Sequence, residues 1–488
     1  VREISFIDTT LRDGQQSLWA LGMKTAAMLG AAEPLDRAGF ESMEFFVSIM
    51  IKKYVREHRE NPWDWLREGA KRFRRTRLRN HGGLHGSGAF EKLPHAALKL
   101  LVERVVSYGI TLTRTSNCWN DFEAMHDEVR ELEALGMQTV VNLIYSVSPR
   151  HTDEYYAQKT RDAAALRPYR ICFKDVGGLL TPERARTLLP TILQNAGEVP
   201  FEYHAHCNNG LAPLCYLEAV KLGVTSLHTA VPPLANGPSQ PSILNLARNL
   251  RALGYTPVID EAEVKRAEEH FTAVAKSQGL ALGKPLAYDE AQYLHQVPGG
   301  VISNLRHQLR LVGKEDKLAE TLEEAARVRA DFGYPIMVTP LSQFVVSQAA
   351  INVIVGERYQ EVTDQVIQYA LGYWGKDAPD LLDPDVKGRI LSRPRAKDWA
   401  RWQPPESSLR ELRQKFGATI SDEELLLRLY AGADAVDALA NAGGPRPRLD
   451  GRQSLLQLIE QICKQRDCHQ VYIRKNGFSL ALGRTSRS

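Results

Sequence analysis

Two histidines one residue apart, His204 and His206 in YHAHCNNG, are the side chains best suited to hold a metal ion. Side chains alternate along a strand with period two, so the pair shares one face. Two imidazoles on one face can share an ion at roughly 2.0–2.1 Å each. Asn208-Asn209-Gly210 follows as a polar turn suited to orienting contacts. Asp8, in FIDTT, is the carboxylate expected to join them. Lys174 ends the apolar run RICFK, where an unpaired ammonium is costly. Either it pairs with Asp175, or it is carbamylated, which replaces the ammonium with an anionic oxygen ligand. The expected metal set is Asp8, Lys174, His204 and His206, a nitrogen/oxygen donor set that suits Zn, Mn or Co.

These residues must be brought together by the elements that carry them. Strand-like runs recur at 3–8, 42–47, 76–80, 110–114, 138–144, 169–174, 200–205 and 225–230. Amphipathic helical stretches separate them at 23–38, 62–74, 93–108, 120–135, 152–166, 182–195 and 211–222, and another follows at 241–252. Eight strand-then-helix units predict an α/β fold, the TIM (β/α)8 barrel. The run at 76–80 is the odd one, being nearly all polar and basic. In such barrels the active site lies at the C-terminal ends of the strands. Asp8, Arg114, Lys174 and the histidine pair fall at the ends of the first, fourth, sixth and seventh strands, so all converge on one mouth.

Beyond 260 the chain reads as helical, with amphipathic runs at 301–312, 315–332 and 341–355. The expected organisation is a barrel domain over 1–290 and a helical, funnel-like domain over 291–442. A Gly/Pro linker at 443–452 and a helix-plus-hairpin tail at 453–488 follow. Asn476-Gly477 between alternating runs predicts a two-residue turn.

A net charge of +4 gives no footing for nucleic acid, and the basic run at 71–79 reads as a solvated helix end. No apolar run reaches 18 residues, so no membrane span is expected. The opening VREISFIDTT reads as a strand and not as a secretory leader. Cys118, Cys172, Cys207, Cys215, Cys463 and Cys468 form no CxxC pair, which fits a reducing, cytoplasmic setting.

DTTLRDGQQS at 8–17 and HAHCNNG resemble motifs of two related groups of metal-dependent barrels. One comprises Claisen-type synthases and lyases, the other the carboxyltransferases of pyruvate carboxylase, oxaloacetate decarboxylase and transcarboxylase. ICFKDVGGLLTPE, SVSPRHTDEYY, ENPWDWLR, VPGGVISNLRHQL, the run from Gly333 to Tyr359 and ELLLRLYAGADAVDAL all resemble the second group. That resemblance implies a carboxyltransferase subunit moving CO2 between carboxybiotin and a keto acid, with pyruvate or oxaloacetate as default. It implies a carbamylated Lys174, and substrate contacts from Arg12, Gln16 and Arg114. The tail resembles the segment preceding a biotinyl domain but carries no Met-Lys-Met site. Biotin carboxyl carrier and biotin carboxylase are therefore expected as separate chains, and the subunit itself as a homodimer.

Several positions depart from the family's pattern. Pro238 stands where a proton-shuttling threonine is usual, which leaves Ser239 as the nearest hydroxyl. Gly83 aligns with a substrate-gripping arginine, FFVSIMIKK at 45–53 replaces a Gly-Gly-Ala-Thr-Phe-Asp-like loop, and Cys207 and Asn117 stand where aspartate is usual. The changes cluster around the acceptor. They leave three alternatives: the same chemistry on another carbonyl or acyl acceptor, a Claisen-type lyase or synthase, or a non-catalytic scaffold subunit.

Overall fold

The structure, a computed structural model, describes residues 2–84, 93–404, 406–441, 470–475 and 478–483. The eight expected strands form as β1 (Glu3–Asp8), β2 (Ser42–Val47), β3 (Arg77–His81), β4 (Leu112–Thr115), β5 (Gln138–Ile144), β6 (Arg170–Asp175), β7 (Phe201–Ala205) and β8 (Ser226–Thr229). Each pairs in parallel with the next, and β1 pairs with both β8 and β2, which closes the barrel. A two-residue strand, β9 (Thr256–Pro257), adds to the N-terminal end of β1 and was not foreseen.

Helices return the chain between strands, and local chemistry fixes where they begin. Thr152, Thr181 and Ser242 each accept a backbone N–H in the first turn of the helix that follows, with Pro182 at the start of the second. Their apolar stripes meet the outer faces of the strands in one large core that includes Phe6, Phe173, Tyr203 and Leu227.

The polar strand β3 belongs to the barrel because its charge is cancelled inside. Arg79 and Glu202 are fully buried and form a two-bond ion pair at 2.7 and 3.0 Å across the bore. The bore is therefore lined by charge as well as by aliphatic groups.

Helices Gly299–Leu311, Leu318–Asp331 and Leu341–Val355 build a second core with the chain up to Trp399. Helices Leu409–Phe416, Asp422–Ala431 and Ala433–Asn441 return to the barrel's core, through Leu412, Leu425, Leu426 and Val436. The expected unit at 291–442 thus divides between two cores. Arg329 binds Ser146 Oγ and the Val147 carbonyl at 3.0 Å each, and Ile336 and Val338 pack on Ile144. These contacts seat the helical region on the mouth beside β5. Strands β10 (Gln470–Lys475) and β11 (Phe478–Gly483) pair antiparallel. The expected Asn476-Gly477 turn, the linker and the helix from 453 lie outside the described residues. Among those residues no helix is long and apolar enough to cross a membrane.

Candidate metal and acceptor site

Strand alternation decides which carboxylate meets the histidines. Ile7 is in register with His228, whose ring points into the bore, so the next residue, Asp8, faces the other way. Thr10 holds both Asp8 oxygens, by its N–H at 3.1 Å and its hydroxyl at 2.6 Å. Burial raises the Asp8 pKa to about 7 despite those bonds. Asp8 is therefore a fixed turn residue, and the expectation that it joins the histidines is corrected.

Asp13 takes its place. The chain leaves β1 through a wide turn, residues Thr10–Gly14, in which the Gly14 N–H reaches back five residues to the Thr9 carbonyl at 2.9 Å. Single wide turns of this kind re-aim side chains and often occur at functional sites. This one swings Asp13 over the mouth. Asp13 Oδ2 lies 3.2 Å from His204 Nε2 and 3.5 Å from His206 Nε2, and those two nitrogens are 3.2 Å apart. Burial opposes the charge on Asp13, but the Arg12 guanidinium beside it holds its carboxyl well below the usual range.

The hydrogen bonds around the histidines fix their tautomers. Arg79 keeps the buried Glu202 ionised, and His228 Nε2 donates to Glu202 at 2.9 Å. Burial keeps His228 neutral, so its Nδ1 carries a lone pair and accepts from His204 Nδ1 at 3.1 Å. His204 Nε2 is then a lone pair. His206 Nδ1 sits 2.7 Å from the Pro238 carbonyl, which can only accept, so His206 Nε2 is a lone pair too. Gln240 Nε2 donates toward it at 3.2 Å. Two lone pairs and a carboxylate converge with no proton of their own between them. Donors around an ion at 2.0–2.2 Å stand roughly 3.0–3.5 Å apart. The spacing and chemistry of Asp13, His204 and His206 fit a divalent cation.

Lys174 is in register with His204 on the neighbouring strand, so it faces the same mouth. It makes no side-chain hydrogen bond or ion pair among the described residues. Asp175, its alternative partner, faces away and accepts the N–H groups of Leu179 and Leu180 at 3.0 and 2.8 Å. Burial first, then Arg114, lowers the Lys174 pKa to about 7. Gly178, with φ of +65°, lets the loop beyond cross closely under the His206 backbone, where a side chain would collide.

Arg12 and Arg114 are both inside, and both meet Glu44 of β2. Arg12 Nε donates to Glu44 at 2.7 Å, a second Arg12 nitrogen and Arg114 also bond it, and Arg12 reaches Asp13 at 3.0 Å. Arg114 further donates to Asn142 at 3.1 Å, while its Nε is buried without a partner. Burial opposes the charge on Glu44, but the two guanidinium groups keep its carboxyl low. Gln16 Oε1 is likewise buried and unpartnered. Ser239 is fully buried, its hydroxyl 3.4 Å from Gln240 Oε1, and its neighbour Pro238 serves through its carbonyl.

Gly83 is not a site position. A side chain there would run into Glu128 Oε1, which accepts the Leu84 N–H at 2.7 Å. Asn117 caps the turn after β4 by accepting from the Trp119 N–H at 2.8 Å. Asp13, Glu44, Glu202 and His228 escaped sequence reasoning. Apart from Asp13, the available signal was a charged or imidazole residue in mid-strand on the bore-facing parity.

The chain matches the family described as HMGL-like over residues 3–270 and the conserved carboxylase domain over residues 293–455. It is 33% identical over 390 residues to a pyruvate carboxylase subunit of Methanocaldococcus jannaschii, covering 80% of this chain and 68% of that one. It is 30% identical over 388 residues to the methylmalonyl-CoA carboxyltransferase 5S subunit of Propionibacterium freudenreichii subsp. shermanii, covering 79% and 76%. Its fold superposes on the carboxyl transferase domain from Rhizobium etli pyruvate carboxylase with a TM-score of 0.82 at 23% identity, over 99% of this chain and 83% of that one.

Proposed function

The chain belongs to the carboxyltransferase subunits of biotin-dependent carboxylases, and from that premise we propose that its barrel mouth moves CO2 from a carboxylated biotin to a 2-oxo acid, pyruvate by default. Biotin comes on a separate carrier chain, as expected of a partner to a subunit of this kind. The observation that carries the reading is the convergence of His204 Nε2, His206 Nε2 and Asp13 on one point with tautomers already set for a cation.

Asp13, His204 and His206 would hold a divalent metal, with Lys174 as the fourth ligand. A resident cation there supplies Lewis-acid polarisation of a carbonyl oxygen. Lys174 supports its own modification: an amine with a pKa near 7 is substantially neutral at neutral pH, and only the neutral amine adds CO2, releasing one proton as the carbamate forms. The carbamate would supply an anionic oxygen toward the metal and remove an unpaired ammonium from a buried place.

The remaining groups prepare the mouth for an enolate. Glu44 neutralises Arg12 and Arg114 from behind, which holds both guanidinium groups rigidly and leaves Arg114 Nε–H free for an incoming oxygen. Gln16 Oε1 is an acceptor without a donor and suits an N–H such as the ureido ring of biotin carries. Ser239 is the hydroxyl on the loop after β8 best placed to carry a proton. Ile336 and Val338 cover the β5 side and exclude water from the reacting groups.

The test is incubation of the metal-loaded chain with carboxylated carrier and a panel of 2-oxo acids, ketones and acyl-CoAs. Carboxylation of a 2-oxo acid that depends on the carrier is expected. Turnover of an acyl-CoA without biotin would assign the barrel to Claisen-type chemistry instead, and no turnover of any acceptor would make it a scaffold.

A further inference from the structure

His81 is the last residue of β3 and is in register with Arg114 on β4. Arg79, two residues earlier, reaches through the bore to Glu202, whereas Asn80 turns the other way to Thr113 and the Gly82 carbonyl. Alternation therefore aims the His81 ring into the mouth. Its Nδ1 is buried with no hydrogen-bond partner, and so is Nε of Arg114. Two orphaned nitrogens thus stand on register-paired residues of adjacent strands, on the same face and at the same level.

A buried polar atom left unpaired costs stability in the free protein, and a ligand oxygen that accepts from it removes that cost. Both atoms can donate, and neither finds an acceptor in the protein. Burial, reinforced by Arg12 and Arg114, keeps the His81 ring neutral. A neutral imidazole offers one directed N–H and no formal charge, unlike the two-pronged grip of a guanidinium. Both terminal nitrogens of Arg114 already have partners in Glu44 and Asn142, and Nε is the nitrogen of this side chain left without one.

We infer that His81 is a specificity-determining residue for the acceptor, donating one hydrogen bond to an oxygen of its carboxylate beside the Nε–H of Arg114. The inference rests on the proposed 2-oxo acid carboxylation and names the protein's own contact for that substrate. Two single donors on neighbouring strands match two oxygens of one small carboxylate. The position that the family's pattern nominates for this work, Gly83, is closed by Glu128.

The test uses the full chain, metal-loaded, with carboxylated carrier and pyruvate. His81→Phe keeps the ring volume and removes the hydrogen bond, and His81→Asn keeps a short donor near Nδ1. His81→Phe is expected to raise KM for pyruvate at least about tenfold, the loss of one bond to a charged oxygen. His81→Asn should recover most of that, and metal content should equal wild type in both. If the Phe variant does not fold, His81→Leu reads the same loss. An unchanged KM, or a fall in kcat alone with lost metal, would overturn the inference while leaving the proposed activity standing. A wild-type chain that turns over no 2-oxo acid would refute the activity itself. In that event, calorimetric titration with pyruvate decides: weaker binding by His81→Phe supports the contact, and equal or absent binding rejects it.

Discussion

Replacing His228 with phenylalanine isolates the hydrogen bond that sets the metal-facing nitrogen of His204. His228 Nδ1, at 3.1 Å, is the only acceptor that His204 Nδ1–H has among the described residues, and both rings are fully buried. Phenylalanine fills the space and accepts nothing. His204 then has two options. It can keep the N–H at Nδ1, unsatisfied, at a cost of about 1–3 kcal/mol. It can instead move the proton to Nε2, which removes the lone pair that faces Asp13 and His206. Both weaken cation binding. The range corresponds to roughly one to two decades, in line with the 10–100-fold typical of groups that orient a ligating histidine. Glu202 keeps its two bonds to Arg79 at 2.7 and 3.0 Å, so the barrel should stay closed. Competition for Zn or Mn against a chromophoric chelator measures the affinity, and a thermal melt of the metal-free protein reports the fold. His228→Gln, whose amide can accept from His204 and donate to Glu202, should regain most of the affinity. Wild-type metal affinity in a folded His228→Phe protein would refute the tautomer argument.

Further substitutions probe the rest of the site. Asp13→Asn should abolish stoichiometric metal binding while Asp8→Asn retains it, read by metal analysis after dialysis; the opposite pattern would restore Asp8 as the ligand. Lys174 has a folded pKa near 7, below its unfolded value of 10.5, so the unfolded chain binds the extra proton between those limits. Metal-free, CO2-free wild type should therefore gain stability relative to Lys174→Met as pH rises from 7 toward 10.5, by at most about 1.4 kcal/mol per pH unit. Denaturant midpoints that run parallel for the two proteins would contradict it. Intact mass in bicarbonate should show one added CO2 on wild type and none on Lys174→Met. Gly83→Ala should lose about 1–3 kcal/mol, because the new methyl must displace Glu128.

The barrel was legible because its outer surface obeys simple rules: β-branched runs, amphipathic helices and capping residues recur in the expected order. Even β3, whose composition argued against a strand, kept its place, since Arg79 finds Glu202 inside. The site was half legible. His204 and His206 announce themselves by spacing, and Lys174 by an ammonium in an apolar run. Asp8 was misread because strand parity relative to the bore is set by partners in other strands, not by the local sequence. Asp13 depends on a wide turn whose extra residue leaves no mark in composition. Glu44, His81, Glu202 and His228 are single residues on four strands, and only closure of the sheet shows that they share one interior.

The Arg79–Glu202 pair also has a meaning for assembly. Strands β3 and β7 stand four places apart in a ring of eight, so the pair is a brace across the diameter. Each charge is sheltered only when the opposite wall has arrived in the right rotational setting. A half-barrel, or a ring closed one strand out of step, would leave a buried ion without its partner. The brace thus discriminates among ways of closing the ring, and Asp13, His204 and His206, the proposed cation site above it, converge only in the arrangement that the brace accepts.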